Sequence, residues 1–106
     1  MLHPSQEPIT GTILVADDQA ANRDLMEELL TAQGYKVITV RDGASALEEL
    51  SRSEVDLVLL DVMMPRLNGF EACEQIKSNP KTYLIPVVLL TALRDKEDRT
   101  TTEARP

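Results

Sequence analysis

The sequence predicts an α/β fold built on a parallel β-sheet, and two observations support this prediction. Short apolar runs alternate with segments whose apolar residues recur at helical spacing, in the order β-α-β-α-β-α-β. Two of the runs, "TILVAD" at residues 12–17 and "DLVLLD" at residues 56–61, are apolar along most of their length, which is typical of parallel strands buried on both faces. Right-handed crossovers in such a sheet place helices on both of its faces. A chain of 106 residues has the size of one domain.

Two further strands are predicted from shorter patterns. "YKVITV", at residues 35–40, alternates apolar and polar positions, which favours a place near the edge of the sheet. The run from Val87 to Thr91 in "PVVLLTA" predicts the last strand.

Three helices are predicted between the strands. "AANRDLMEELLTAQG" predicts the first, with Gly34 as its C-terminal stop. "DGASALEELSRS" predicts the second, with Asp42 as its N-cap, and "FEACEQIKSN" predicts the third. The apolar residues at helical spacing are Ala21, Leu25, Met26, Leu29 and Leu30 in the first helix, Ala44, Leu47 and Leu50 on one face of the second, and Phe70, Cys73 and Ile76, expected to face inward, in the third.

Composition excludes several classes of function. The formal net charge of −7 argues against sequence-independent binding to nucleic acid or to an anionic membrane, because both need a cationic surface. No apolar run approaches the roughly 18 residues of a membrane span. Cys73 is the only cysteine, so no internal disulfide can form, which fits a reducing compartment such as the cytoplasm.

Polar residues stand where three of the predicted strands end. Asp17 and Asp18 close the first strand, Asp61 closes the third and Thr91 closes the fourth. Sites in open parallel sheets form at the carboxyl ends of the strands, so the three carboxylates converge if the first and third strands are neighbours. Like charges at close range recruit a cation, and hard oxygen ligands suit Mg²⁺. A single Asp at a strand end is more often a turn or cap residue, and Asp18 could be only the N-cap of the first helix.

A carboxylate beside Mg²⁺ can attack a phosphoryl group in line and form an acyl phosphate. A hydroxyl such as that of Thr91 could donate a hydrogen bond to a phosphoryl oxygen.

Three stretches, "ILVADD", "DLVLLDVMMPRLNGFE" and "IPVVLLTA", occur in an order and at a spacing that resemble the receiver domains of two-component response regulators. The resemblance covers about residues 12–98, and its middle motif is the most specific. It implies a flavodoxin-like (CheY-like) doubly wound parallel sheet with the strand order 2-1-3-4-5. It also implies a signalling domain, whose only catalysis is its own phosphotransfer and dephosphorylation.

The resemblance assigns roles to individual residues. It implies that a histidine kinase or phosphotransfer protein donates a phosphoryl group to Asp61, and that the Thr91 hydroxyl contacts this group. Pro65 and Gly69 match the loop that shapes the acceptor site. The implied Mg²⁺ ligands are Asp17, Asp18, Asp61 and the backbone carbonyl of Met63.

The resemblance ends after Arg99. We expect a flexible N-terminal arm at residues 1–11, a truncated receiver domain at 12–99 that lacks the fifth strand and fifth helix, and an irregular polar tail at 100–106. The family's lysine on the fifth strand has no counterpart, since neither Lys81 nor Lys96 stands at the matching place. A lost charge-assisted hydrogen bond of this kind should weaken phosphorylation, or the response to it, roughly ten- to a hundredfold.

An uncovered fourth strand would be a template for pairing with another chain. We therefore expect a homodimer, formed through the edge of the fourth strand or by exchange of the C-terminal segment.

An alternative function is a degenerate receiver-fold module that does not switch and acts through dimerisation or protein binding. Other classes fit less well. A flavodoxin-type flavin site needs a phosphate-binding first loop, where "DDQAAN" places acids, and a haloacid-dehalogenase-type phosphatase needs Asp-x-Asp at its nucleophile. Thiol catalysis would need a histidine beside Cys73. The only histidine, His3, lies in the predicted N-terminal arm, which argues against this class.

Overall fold

The structure is a computed structural model that describes residues 11–90. The predictions for the arm, for Thr91 and for the tail therefore lie outside the described residues. The elements, in chain order, are β1 (Thr12–Ala16), α1 (Ala20–Ala32), β2 (Lys36–Val40), α2 (Gly43–Leu50), β3 (Leu57–Asp61), α3 (Gly69–Ser78) and β4 (Val87–Leu90). Each predicted strand and helix is present within a few residues of its predicted position.

The four strands form one parallel sheet in the order β2-β1-β3-β4. The predicted α/β fold is confirmed, and the order agrees with that of the first four strands of a flavodoxin-like sheet. β2 lies at an edge, as its alternating pattern predicts. β1 and β3 are neighbours in a register that places Ala16 beside Leu60, so both strands end at the same edge of the sheet.

Two apolar layers cover the sheet. One layer packs under α2 and α3, and its fully buried side chains include Leu14, Val58, Leu60 and Ile76. The other layer contains Ile13, Val15 and Leu59, with Met26 and Leu30 of α1 packed against them. Successive residues of β1 and β3 thus alternate between the layers, which explains why both strands are apolar throughout.

The inner faces of the helices differ in part from the predicted ones. On α3 the buried residues are Gly69, Ala72 and Ile76, whereas Phe70 is 57% exposed. The prediction that Phe70 faces inward is therefore wrong, because each residue turns the helix by about 100° and position 70 follows directly after buried Gly69. On α2, Ala46 is buried and Ala44 is exposed.

None of the three described helices has the length and apolar character that spanning a membrane requires. The longest, α1, has 13 residues. It ends at Ala32, and Gly34 follows with φ 101°, a conformation that favours glycine and confirms the predicted stop.

The helix N-termini show which acids serve as caps. The Asp42 carboxylate accepts a hydrogen bond of 2.7 Å from the backbone N–H of Ser45, which confirms the predicted cap of α2. Asn68 and Glu71 form a reciprocal capping box at the start of α3. The N-cap of α1 is Gln19, and no side chain in the described chain caps this helix, so Asp18 is not its cap.

The Asp42 side chain also joins two loops. Its Oδ2 accepts a hydrogen bond of 3.2 Å from Nη2 of Arg66, in the loop between β3 and α3. Arg66 has φ 64°, which is uncommon for a residue other than glycine. The hydrogen bonds from Ser45, and to a smaller extent the positive charge of Arg66, hold the pKa of Asp42 below its ordinary value of 3.8.

Replacing Asp42 with Ala should lower the free energy of unfolding by about 1 kcal/mol near neutral pH, because α2 loses its cap. The pKa of Asp42 is lower in the folded state than its ordinary value of 3.8. The contribution of the ionised Asp42 carboxylate to the free energy of unfolding is therefore complete above pH 3.8 and is lost as the pH falls below that value. Urea unfolding of the wild type and of Asp42→Ala over a pH series should therefore show a stability difference that narrows in acid. Glu28→Ala, which removes an exposed carboxylate on α1, is the matched control. A stability difference between the wild type and Asp42→Ala that does not change with pH would contradict the capping role of the ionised Asp42 carboxylate.

Candidate functional site

Three carboxylates meet at the carboxyl edge of the sheet. Asp61 is the last residue of β3, and Asp17 and Asp18 directly follow β1, its neighbour in the sheet. One side-chain oxygen from each residue lies within 4.8 Å of the other two. Asp17 and Asp61 are buried, whereas Asp18 is exposed. The cluster is therefore enclosed by protein on one side and open to solvent on the other.

The first turn of α1 fixes the position of Asp17. The backbone N–H of Gln19 donates to Oδ1 of Asp17 at 2.9 Å, and the amide Nδ2 of Asn22 donates to Oδ2 at 3.3 Å. Nη1 of Arg23 donates to the backbone carbonyl of Asp17 at 2.7 Å. Our sequence analysis missed these supporting residues. The signal that could have found them is the presence of polar side chains about one helical turn after the acid pair.

The end of β3 is held by the loop that follows it and by α3. Oδ1 of Asp61 accepts a hydrogen bond of 3.1 Å from the backbone N–H of Met63. The backbone of Gly69 lies so close that a Cβ at this position would be 2.6 Å from the carbonyl oxygen of Asp61 and 2.8 Å from Cα of Val62. Only glycine fits there, so the first turn of α3 rests directly against the end of β3.

The carboxylate cluster fits a small divalent cation. Unit negative charges within about 5 Å of each other repel by roughly 3 kcal/mol or more at an effective dielectric constant near 20, and a cation between them offsets this cost. Oxygens on opposite sides of Mg²⁺ are about 4.2 Å apart, and the oxygens of the cluster lie within 4.8 Å of one another, which is close enough for one ion to contact all three. The exposed side of the cluster leaves room for the waters that Mg²⁺ keeps.

The structure brings together three of the predicted site residues, Asp17, Asp18 and Asp61, and places Met63 in the adjoining loop. The roles assigned to them remain predictions. Thr91 and Lys96 lie outside the described residues. Lys81 lines a cavity between the C-terminal ends of α2 and α3, at the opposite end of the sheet from Asp61, as expected for a lysine that does not match the family's fifth-strand residue.

Comparison with known proteins agrees with this geometry. The sequence model of the family described as "Response regulator receiver domain" matches residues 13–104. The chain is 48% identical over 91 residues to the response regulator PleD of Caulobacter vibrioides, covering 86% of this chain and 20% of PleD. It is 44% identical over 99 residues to a probable cyclic di-GMP phosphodiesterase of Vibrio cholerae, covering 92% of this chain and 22% of that protein. The chain thus spans about a fifth of the length of these relatives.

Solved structures show the same fold. The N-terminal domain of a response regulator receiver protein from Methanoculleus marisnigri superimposes with a TM-score of 0.76 at 41% identity, covering 87% of this chain and 76% of that one. The receiver domain of the sensor histidine kinase PA1611 from Pseudomonas aeruginosa, solved with a magnesium ion coordinated in its active site cleft, superimposes with a TM-score of 0.75 at 30% identity. It covers 87% of this chain and 75% of the other.

A family match over most of the chain, relatives of this identity and a parallel sheet with acids at its carboxyl edge lead to one conclusion. The chain belongs to the family of response regulator receiver domains.

Proposed function

We propose that this receiver domain accepts a phosphoryl group on Asp61 from a phosphorylated histidine of a histidine kinase or phosphotransfer protein. The observation that carries the proposal is the convergence of Asp17, Asp18 and Asp61, with Asp61 buried at the end of β3. Helix capping does not explain the arrangement, since α1, the helix that follows Asp17 and Asp18, takes no side-chain cap from the described residues. A non-switching module is less favoured, because nothing in such a role requires three acids held together.

The proposed reaction transfers the phosphoryl group from the nitrogen of the donor imidazole to a carboxylate oxygen of Asp61. A carboxylate oxygen of Asp61 forms a P–O bond as the P–N bond to the donor imidazole breaks, and the electron pair of that bond returns to the ring nitrogen. The product is an acyl phosphate on Asp61. The hydrogen bond from the backbone N–H of Met63 holds Oδ1 in place, and the contact with Gly69 fixes the strand end that carries the carboxylate.

The same residues support magnesium as the cofactor. Asp17, Asp18 and Asp61 would supply carboxylate oxygens, and the Met63 carbonyl would supply a further ligand, as the family resemblance implies. Bound Mg²⁺ would neutralise charge on the phosphoryl oxygens during transfer. The backbone N–H of Gln19 and the side chains of Asn22 and Arg23 hold Asp17 in position for this binding.

The function of the whole protein is a separate proposal, because the chain spans about a fifth of its relatives. We propose residues 12–99 as the phosphoryl-accepting unit, whose signal is passed on through another domain or protein. The unpaired Cys73 fits a reducing compartment such as the cytoplasm.

We also propose that two copies associate through the edge of β4. No strand among residues 11–90 pairs with the outer edge of β4. The carbonyls of Pro86 and Leu90 accept hydrogen bonds from the backbone N–H groups of Val58 in β3 and of Val62 just after it, so the backbone groups of Val87 and Leu89 point away from β3. Val88 is 44% exposed. An apolar strand with an open edge favours pairing with a second strand. Exchange of the C-terminal segment would be the alternative route to a dimer.

The phosphorylation proposal predicts a covalent adduct on one residue. Incubation with acetyl phosphate and Mg²⁺ should add one phosphoryl group, detected by intact mass, and chelation of Mg²⁺ should abolish it. Asp61→Asn should show no adduct, whereas Asp24→Asn, an exposed acid on α1, should react as the wild type does. A wild-type chain that binds Mg²⁺ but gains no phosphoryl group would exclude this function.

Magnesium affinity should depend on each acid of the cluster. Asp18→Asn should weaken Mg²⁺ binding by about tenfold or more, because one of three converging charges is removed. Asp18 is exposed, so the variant should fold normally. Isothermal titration calorimetry on the wild type, Asp18→Asn and the control Asp24→Asn provides the comparison. Equal affinities for all three would contradict the proposed ligand set.

The dimer should be sensitive to charge on β4. Val88→Lys places a cation on the edge strand, which should oppose strand pairing and shift the protein to a monomer. Leu84→Lys, at a more exposed apolar position outside the strands, should not have this effect. Light scattering after size-exclusion chromatography, over a range of concentrations, gives the mass. A wild type that is monomeric at every concentration would contradict the interface.

A further inference from the structure

A polar cavity lies at the outer edge of β2, where α1, α2 and the C-terminal end of β2 contribute to its walls. Its volume is about 410 Å³, a size that holds a small ligand. The three acids of the carboxylate cluster do not line it, so it is a separate place on the described surface. Its charged lining consists of three arginines and two glutamates: Arg23, Arg41, Arg52, Glu48 and Glu49.

The two glutamates of the cavity are both engaged by one arginine. Nη2 of Arg52 lies 2.9 Å from Oε1 of Glu49, and Nη1 of Arg52 lies 3.7 Å from Oε2 of Glu48. None of the ion pairs formed among residues 11–90 includes Arg23 or Arg41. The cavity therefore holds two guanidinium groups that have charge to offer to an anion, although the chain as a whole carries a formal net charge of −7.

Side-chain donors with unused capacity converge on this cavity. Arg23 is half-buried, and its Nη1 donates to the carbonyl of Asp17 at 2.7 Å, which leaves the N–H groups of Nε and Nη2. Those two nitrogens form a fork that matches two oxygens of one anion. Arg41 and Thr39 line the same cavity, and their side chains form no hydrogen bond with another residue in the range 11–90.

The main chain of β2 adds a further donor. The backbone N–H of Lys36 donates to Gly11 at 2.9 Å, and the carbonyl of Val40 accepts from Asp17 at 3.1 Å. Backbone groups of a parallel strand alternate between its two sides, so Thr39 directs its N–H away from β1. The outer edge of β2 pairs with no other strand of the described chain. The N–H of Thr39 is therefore available at the cavity wall.

We propose that this cavity binds the phosphate group of a small molecule. The terminal oxygens of a phosphate accept several hydrogen bonds, and the guanidinium groups of Arg23 and Arg41 with the hydroxyl of Thr39 are three separate donors for them. The cavity volume leaves room for more than the phosphate group. A polyanion such as nucleic acid or an anionic membrane is disfavoured, because it would meet the net negative charge of the whole chain. This site does not depend on phosphoryl acceptance at Asp61.

The test follows the backbone amides by NMR while a phosphate probe is added at constant ionic strength. Inorganic phosphate and glycerol phosphate are titrated separately, with a chelator in place of Mg²⁺ so that no cation holds phosphate at the carboxylate cluster. We expect saturable shifts centred on residues 39–45 with both probes.

Three variants identify the donors. Arg41→Gln should weaken binding of both probes by about tenfold or more, because a charge-assisted contact is lost. Thr39→Val keeps the shape of the side chain and loses the hydroxyl, which should weaken binding by about threefold. Lys36→Gln removes an exposed cation at the other end of β2 and should bind as the wild type does.

Each contrary result overturns the proposal in a recognisable way. Shifts that do not saturate, or that chloride reproduces, would show charge screening only. Equal affinities for Arg41→Gln and Lys36→Gln would exclude this cavity as the site. Binding of inorganic phosphate without glycerol phosphate would exclude a phosphorylated small molecule. Because Mg²⁺ is absent and no covalent bond forms, failure of this test leaves acceptance at Asp61 intact, and failure of phosphorylation leaves this site intact.

Discussion

The parallel pairing of β1 with β3 is the constraint on which the rest of the molecule depends. It places residues that are more than 40 positions apart in sequence at one edge of the sheet, so that the acids after each strand converge. At the N-terminal ends of the two strands, hydrogen bonds between Thr12 and Asp56 fix the register. The backbone N–H of Thr12 donates to Oδ2 of Asp56 and the backbone N–H of Asp56 donates to the Thr12 carbonyl, each at 2.8 Å. The apolar side chains of both strands lie in two buried layers, and their burial opposes the repulsion among the acids.

Acids of the same chemistry serve different purposes in this chain because their surroundings differ. Asp42 precedes a helix, accepts a hydrogen bond from the third residue after it and stabilises the helix start. Asp17 also precedes a helix, but its carboxylate is directed toward two other carboxylates and is held there by donors from the first turn of α1. A carboxylate held close to like charges is not arranged for stability alone, since a neutral cap would serve the helix at lower electrostatic cost. This contrast is the physical basis for treating Asp17 as part of a site.

Much of this arrangement could be predicted from the sequence, for reasons that particular residues illustrate. The strands follow from apolar runs that end in acids, and the meeting of Asp17 with Asp61 follows from the rules for parallel sheets once β1 and β3 are neighbours. The strand order itself was predicted only from the resemblance to receiver domains. The exposure of Phe70 could not be predicted in this way, because hydrophobicity alone does not show which apolar residues of a helix face solvent. Contacts such as that of Arg23 with the carbonyl of Asp17 depend on side-chain conformation, which leaves no periodic signal in the sequence.

The contact between Gly69 and the end of β3 also limits which substitutions a chain of this kind can accept. A side chain at position 69 would occupy the space of the Asp61 carbonyl. Gly69 therefore cannot be replaced by a larger residue unless the end of β3 moves. Such a movement would displace the carboxylate together with its backbone. Under the proposed function, a related chain that no longer accepted a phosphoryl group would be released from this requirement, and a residue other than glycine at this position would mark that loss.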